Sequence, residues 1–410
     1  MSKIKSCRSC KSKKLDYLFS LGKQFYTGIF PRKKNLTVPS GKLELIKCKS
    51  CHLVQLSENF NLKKMYGTNY GYRTGLNLSM VNHIKKKIHI IKNKIKLNKN
   101  DLIIDIGSND GTLLKCFDHN KFNLVGIDPT ISKFSKYYPK QIKKIANFFS
   151  KKNLTRVIKK RKAKLITSIA MFYDLPNPTA FAKEIYSLLD DNGIWHLEQS
   201  YSGHMLSNLS YDTICHEHLE YYSIKSIKYI FDKANLKIID INFNKINGGS
   251  FAITVAKKNS SILSNKKRIL GLINKEKLKK INSTQTYKIF YKKILNEKLR
   301  LINLLKKLNK NKKIVIGYGA STKGNVILQF CNINSKLIKY VCEVNKDKNN
   351  CHTPGTKIKI INETLAKKIK PDYYFVLPWH FKKFIIKKEK KLIKNGTKFI
   401  FPLPKLQIIG

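Results

Sequence analysis

Between positions 211 and 222 the chain reads Tyr-Asp-Thr-Ile-Cys-His-Glu-His-Leu-Glu-Tyr-Tyr, which gathers His216 and His218, Glu217 and Glu220, and three tyrosines into twelve residues. Imidazole can take a proton near neutral pH, a carboxylate can orient it, and a phenol such as that of Tyr222 can donate to an oxyanion. Three uses compete for such a cluster. A metal site lacks the i, i+4 histidine pair that a helical H-E-x-x-H would supply. A polar surface loop is the second reading. Proton abstraction fits best, because neighbouring side chains on an irregular loop can face substrate and scaffold separately.

Four cysteines stand as Cys7-x2-Cys10 and Cys48-x2-Cys51. Each knuckle aims two sulfurs at one point, so together they can hold one tetrahedral Zn2+. The 37 residues between Cys10 and Cys48 are more than a compact zinc ribbon needs and form a small insert with strand-like pieces at Leu15 to Leu21 and Leu43 to Ile46. With all four ligands supplied by cysteine the metal is structural, and it contributes much of the folding free energy of so small a segment.

Strands and glycine turns further along the chain supply the scaffold. Asp101 to Leu114 contains a short apolar strand, a glycine turn (Asp105-x-Gly107-x-x-x-Gly111) and an apolar helix start. The glycines let a ligand approach the backbone, and Asp128, at the end of a second strand, is placed to accept both hydroxyls of a ribose. Further βα units include a strand at Leu165 to Ile169 and a helix across Thr179 to Leu189. Leu236 to Phe243 and Ser250 to Lys257 close the domain as paired strands, which indicates a mostly parallel sheet with one antiparallel strand. Residues 258–312 show helical apolar spacing. A second strand–glycine turn–helix start begins at Lys313, with the helix N-terminus next to Ser321, Thr322 and Lys323 expected to form a phosphate cradle.

The chain carries 82 Lys+Arg against 25 Asp+Glu in 410 residues, a formal net charge of +57. Only seven of the basic residues are Arg, and the lysines are spread throughout. That pattern reads as compositional bias, with salt-sensitive nonspecific polyanion binding as its consequence, and not as a specific nucleic-acid face. No apolar run reaches the length of a membrane span and the N-terminus has no apolar signal region, so the expectation is a soluble cytoplasmic protein.

The D-x-G-x-x-x-G turn, the acid after the second strand and the closing hairpin resemble the class I S-adenosylmethionine-dependent methyltransferases. Together with the zinc knuckles, the Y-D-T-I-C-H-E-H-L-E-Y-Y segment and the C-terminal motifs, the whole chain resembles the sugar-nucleotide C-methyltransferase family. The resemblance implies a three-part α/β enzyme, with a zinc-binding module at 1–62, a methyltransferase domain at 63–258 and a second Rossmann-like domain at 313–410, the last two joined by a helical linker at 259–312. It implies S-adenosylmethionine held by Asp105, Gly107, Asn109, Gly111 and Asp128, with Asn147 and Phe148 near the adenine. It implies His218 as general base assisted by Glu217, and Tyr70 and Tyr72, in the aromatic segment Tyr66 to Arg73, over donor and sugar. Gly319, Ser321 and Lys323 would face the diphosphate of a nucleotide-sugar substrate, in a monomer or homodimer. The chain departs from the family pattern at Cys215, where the antibiotic-sugar members have Tyr, and at Asp174, where they have His. The alternative functions are an RNA methyltransferase, which would need an N-P-P-Y-like motif where Tyr173-Asp-Leu-Pro176 stands, and a noncatalytic zinc-containing binding protein.

Overall fold

A computed structural model describes residues 2–66, 70 and 72–410. Part of the aromatic segment singled out above, Gly67, Thr68, Asn69 and Gly71, lies outside the described residues.

The N-terminal module is a meander. Strand Leu15–Phe25 pairs antiparallel with Ser40–Cys48, which pairs with Val54–Leu56. Its fourth strand comes from far along the chain: Glu220–Tyr221 pairs antiparallel with Val54–Leu56, Glu220 opposite Gln55 and Tyr221 opposite Val54. The end of the His-Glu-His segment is thus built into the cysteine-bearing module.

The central sheet has seven strands in the order Leu236–Asn244, Ser250–Lys257, Leu189–Ser200, Ala163–Ile169, Leu102–Ile106, Asn123–Ile127, Lys143–Ile145. Ser250–Lys257 runs antiparallel to both neighbours and the remaining pairs are parallel. Leu102–Ile106 is buried along its whole length, as expected for a strand covered on both faces. One sequence expectation fails: no full helix comes after Gly111, only a 3-10 turn over Leu114–Cys116. The chain has to return to Asn123 through the polar turn at 118–121, which leaves no room for a helix. Helix Pro178–Leu188 forms as expected, with Asn177 capping Ala180 N–H and Pro178 at its first position.

Helices Lys266–Leu278 and Thr284–Lys310 connect to a six-stranded sheet ordered Ile360–Asn362, Val341–Glu343, Val315–Tyr318, Tyr373–Val376, Lys398–Phe401, Gln407–Ile409, with only the last strand antiparallel. Helix Thr322–Phe330 leaves the Gly319 turn, and Ser321 Oγ accepts from Gly324 N–H as its N-cap. The module docks on this helix: Asn325 Nδ2 donates to Thr27 O at 2.7 Å, and Gln329 bonds both backbone groups of Phe25. One continuous apolar core joins the module strands (Phe19, Leu45, Val54), the 211–221 segment (Tyr211, Ile214, Leu219) and the C-terminal sheet with its first helix (Ile316, Phe375; Val326).

Candidate active site

The carboxyl ends of the two parallel sheets face each other across a cleft. On the central sheet, a cavity is lined by Asp105, Gly107, Asn109, Asp128, Phe148, Met171 and Asp174, and by Tyr66, Tyr70 and Tyr72 from the segment above it. Asn109 and Asp110 staple that segment down, through Thr74 N–H to Asn109 Oδ1 and Gly75 N–H to Asp110 Oδ2, each 2.9 Å. Asp105 accepts from Thr167 Oγ1 at 2.7 Å, and burial pushes its carboxyl up to about 7. Asp128 stands at the strand tip; Asn109 N–H and Thr130 N–H hold its two oxygens.

Of the residues expected around the donor, two sit differently. Gly111 is needed for its own φ of +73° and because a Cβ there would lie 2.8 Å from the Tyr138 ring; it packs against that ring instead of lining the cavity. Asn147 is exposed and its side chain accepts from Phe148 N–H, so the ring of Phe148 reaches the cavity and the amide does not. Pro129, Thr130 and Phe149 line it too, and no motif drew attention to them.

A second cavity, of about 500 Å³, opens beside the first and shares Tyr70 and Tyr72 with it. Gly319, Ser321 and Lys323 line it, with Gly28 from the N-terminal module, Arg73, Lys348 and His380. Lys323 Nζ donates to Asn247 O at 2.7 Å, and burial lowers its pKa. Ser321 Oγ accepts the helix-cap bond, and its O–H remains a donor.

The His-Glu-His segment divides its side chains. His218 has its ring 4.1 Å from that of Tyr173, centroid to centroid, and its Nδ1 lies 2.8 Å from Thr213 O. A carbonyl only accepts, so Nδ1 carries the proton and Nε2 keeps its lone pair, with no protein partner among the described residues. Burial, and then the Lys323 ammonium, hold His218 down at about 3, so the ring is neutral at physiological pH. Glu217 does not orient it; the Thr213 carbonyl does. The Glu217 carboxylate instead turns toward Gly28, where even a methyl group would collide with Oε1; its Oε1 is buried without a partner, and burial raises its pKa to about 7.

His216 and Tyr222 leave the site. His216 is sunk against the N-terminal module, Nε2 3.3 Å from Gly41 O and its ring 4.8 Å from those of Tyr26 and Phe60, and burial lowers it to about 4. Tyr222 is fully buried, donating to Glu220 Oε2 at 3.0 Å, with its ring stacked on Phe172. Residues 215–218 form a turn, with His218 N–H donating to Cys215 O at 3.1 Å, so the side chains of 216, 217 and 218 leave the backbone in different directions.

Glu198 is a structural group. It binds His83 Nε2 at 2.6 Å and Lys87 Nζ at 2.7 Å. Burial would raise its pKa, but these partners outweigh that and bring it to about 2, pinning helix Leu78–Lys92 to the sheet.

Three family models account for most of the chain: "Putative zinc binding domain" over 7–66, "Methyltransferase domain" over 82–241 and "C-methyltransferase C-terminal domain" over 245–404. The last begins inside the closing hairpin and takes in the linker helices. The chain is 26% identical over 369 residues to C-methyltransferase NovU of Streptomyces niveus, covering 90% of this chain and 87% of that protein. The chain belongs to the C-methyltransferases with an N-terminal zinc-binding domain.

Solved structures similar to this C-methyltransferase match only part of it. An S-adenosylmethionine-dependent methyltransferase of Clostridium acetobutylicum aligns at TM-score 0.34 and 14% identity, over 44% of this chain and 92% of that one. The CurJ carbon methyltransferase aligns at TM-score 0.33 and 10% identity, over 43% and 54%.

The enzyme's two cofactors are S-adenosylmethionine and Zn2+, and the residues present fit both. The sulfurs of Cys7, Cys10, Cys48 and Cys51 all lie within 4.8 Å of one another, where a zinc tetrahedron asks for about 3.8 Å between sulfurs. Amide groups already point at the sulfur of Cys7: the N–H groups of Ser9 and Cys10, and Gln55 Nε2 at 3.3 Å. In the donor cavity, the φ of +76° at Gly107, the acid Asp128 at the next strand tip and the unpartnered buried Oδ1 of Asp174 form a polar, close-approach cradle. No described helix is long and apolar enough to cross a membrane.

Proposed function

We propose that this C-methyltransferase acts on a keto-deoxysugar carried on a nucleoside diphosphate, with His218 removing the proton from the carbon beside the keto group. The observation that carries the reading is the state of His218: Nδ1–H is committed to Thr213 O, and the Nε2 lone pair is unused. A sugar carbon becomes nucleophilic only after it loses that proton, so the chain needs a neutral base held still beside the donor. Burial keeps the imidazole neutral, and Tyr173 supports one face of the ring.

S-Adenosylmethionine, when bound, supplies a methyl group on a positively charged sulfur. Asp105, Gly107, Asn109 and Asp128 are the residues to hold it, and Phe148 lies where an adenine would pack. Tyr70 and Tyr72, which line both cavities, separate donor from sugar and exclude water. The larger cavity, with Lys323, Arg73 and Lys348 on its walls, suits the diphosphate. Tyr222 is replaced in the oxyanion role by Tyr70, which lines both cavities, since Tyr66 donates its hydroxyl to Asp174 Oδ2. NovU being a C-methyltransferase similar over nearly its full length supports transfer to carbon.

The decisive experiment incubates the enzyme in D2O with candidate nucleotide-linked keto-sugars and S-adenosylhomocysteine. Mass spectrometry should record deuterium at one sugar carbon, and His218→Asn should stop it. Exchange undiminished in that variant removes His218 as the base.

A further inference from the structure

We propose that Gln55 is a positioning residue that couples metal occupancy of the N-terminal module to the placement of His218. Three sets of bonds meet on this side chain and its strand. Gln55 is fully buried, its Nε2 donates to Cys7 Sγ at 3.3 Å, and its Oε1 accepts from Arg8 N–H at 3.0 Å. Its backbone stands opposite Glu220 in the antiparallel ladder, and the next residue, Leu56, donates N–H to Leu219 O at 2.9 Å. Arg8 locks the same edge from the other side, with guanidinium bonds to Leu56 O, Glu58 O at 2.7 Å and Asn59 Oδ1 at 2.9 Å.

Leu219 is the residue directly after His218 and is gripped at both ends: its carbonyl by Leu56 and its N–H by Tyr173 O at 2.8 Å, the residue whose ring backs the imidazole. Tyr221 Oη returns to His218 O at 3.0 Å. Thus a metal-ligand sulfur and the catalytic loop are connected through one glutamine and two ladder positions. A glutamine at a ligand sulfur holds that thiolate by a hydrogen bond, the usual work of groups around a metal site. Here the same residue is also the pairing partner of the active-site segment. Emptying the metal site frees Cys7, then the amide of Gln55, then the strand that Glu220 and Tyr221 pair with. The donor cavity, built on Leu102–Ile106 and Asn123–Ile127, makes no use of that strand.

The assignment of His218 as base rests on the proposed function above; the coupling itself does not. Gln55→Leu removes both amide contacts at similar volume. Metal analysis should still find one zinc per chain, since the four thiolates remain. With Co2+ in place of zinc, the thiolate-to-cobalt absorption band should move from its position in the parent, reporting the lost bond to Cys7. Amide hydrogen exchange in 218–222 should quicken at least tenfold while 102–106 and 123–127 stay protected. Affinity for S-adenosylhomocysteine should hold within twofold, and kcat should fall about 10–100-fold with little change in KM for the donor. As a second measurement, chelating the metal from the unmutated full-length chain should loosen 218–222 in the same selective way. Parental protection of 218–222 in both the variant and the chelated protein overturns the proposal, and so does an equal loss of protection across the central sheet. Loosened 218–222 with an undiminished kcat supports the coupling and counts against His218 as base.

Discussion

At Gly107 the chain leaves strand Leu102–Ile106 with φ +76°, and at Gly319 it leaves Val315–Tyr318 with φ +81°. Beyond these glycines the two halves diverge. After Gly107 there is only a 3-10 turn, and a Cβ at Gly107 would meet the flexible Met171 side chain at 3.0 Å. After Gly319 there is a nine-residue helix with its own cap, and a Cβ at Gly319 would meet the rigid Pro378 ring at 2.8 Å. The first turn also has acids on it, Asp105 and Asp128, and aromatic rings over it. The second has Lys323 and a serine whose oxygen accepts the cap bond. A glycine turn at the end of a parallel strand is therefore only a place where a ligand can come close. Which ligand it takes is set by the charge and stiffness of its surroundings.

Four outcomes test that division, from the largest effect to the smallest. His218→Asn should reduce methyl transfer by about 10²–10⁴ and leave S-adenosylhomocysteine affinity within twofold, measured by labelled methyl transfer and calorimetry. Asp128→Asn should weaken S-adenosylhomocysteine binding by about 10–100-fold without altering the affinity for a nucleoside diphosphate; an equal loss for both ligands would merge the two halves. Lys323→Met should do the reverse, raising KM for the nucleotide-linked sugar roughly tenfold at constant donor affinity. The pH–rate profile should show the smallest change. Glu217, raised by burial to about 7, is protonated below that value and ionised above it; its carboxylate abuts Gly28 in the wall of the cavity proposed for the diphosphate, so KM for the nucleotide-linked sugar should rise as pH passes upward through about 7. Glu217→Gln should flatten that rise.

The features legible in the sequence were those written in short stretches. The two cysteine knuckles, the glycine turn after Asp105, Asp128 and the closing hairpin each depend on neighbours a few residues away: the four sulfurs converge, Asp105, Gly107 and Asp128 line one cavity, and the hairpin strands pair. The features that stayed hidden depend on pairing across long separations. Nothing local says that Glu220 will face Gln55, or that Glu198 will be neutralised by His83 and Lys87 on a helix more than a hundred residues earlier. The choice of His218 over His216 comes from the family resemblance alone, because no local pattern says which side of the segment faces Tyr26 and Phe60 of the N-terminal module. The missing helix after Gly111 was obscured by Leu113 and Leu114, apolar residues that suit a helix but are buried in the 3-10 turn. Gln55 carries no motif at all.

The contact between Gly28 and Glu217 has a practical corollary for anyone who would recombine these enzymes. Part of the wall of the larger cavity is contributed by a residue that precedes the 211–222 segment by nearly two hundred positions, and even one added carbon at position 28 would overlap the carboxylate. A chimera that imports a foreign amino-terminal piece must therefore bring along its own 211–222 counterpart, or the two halves will contend for the same space.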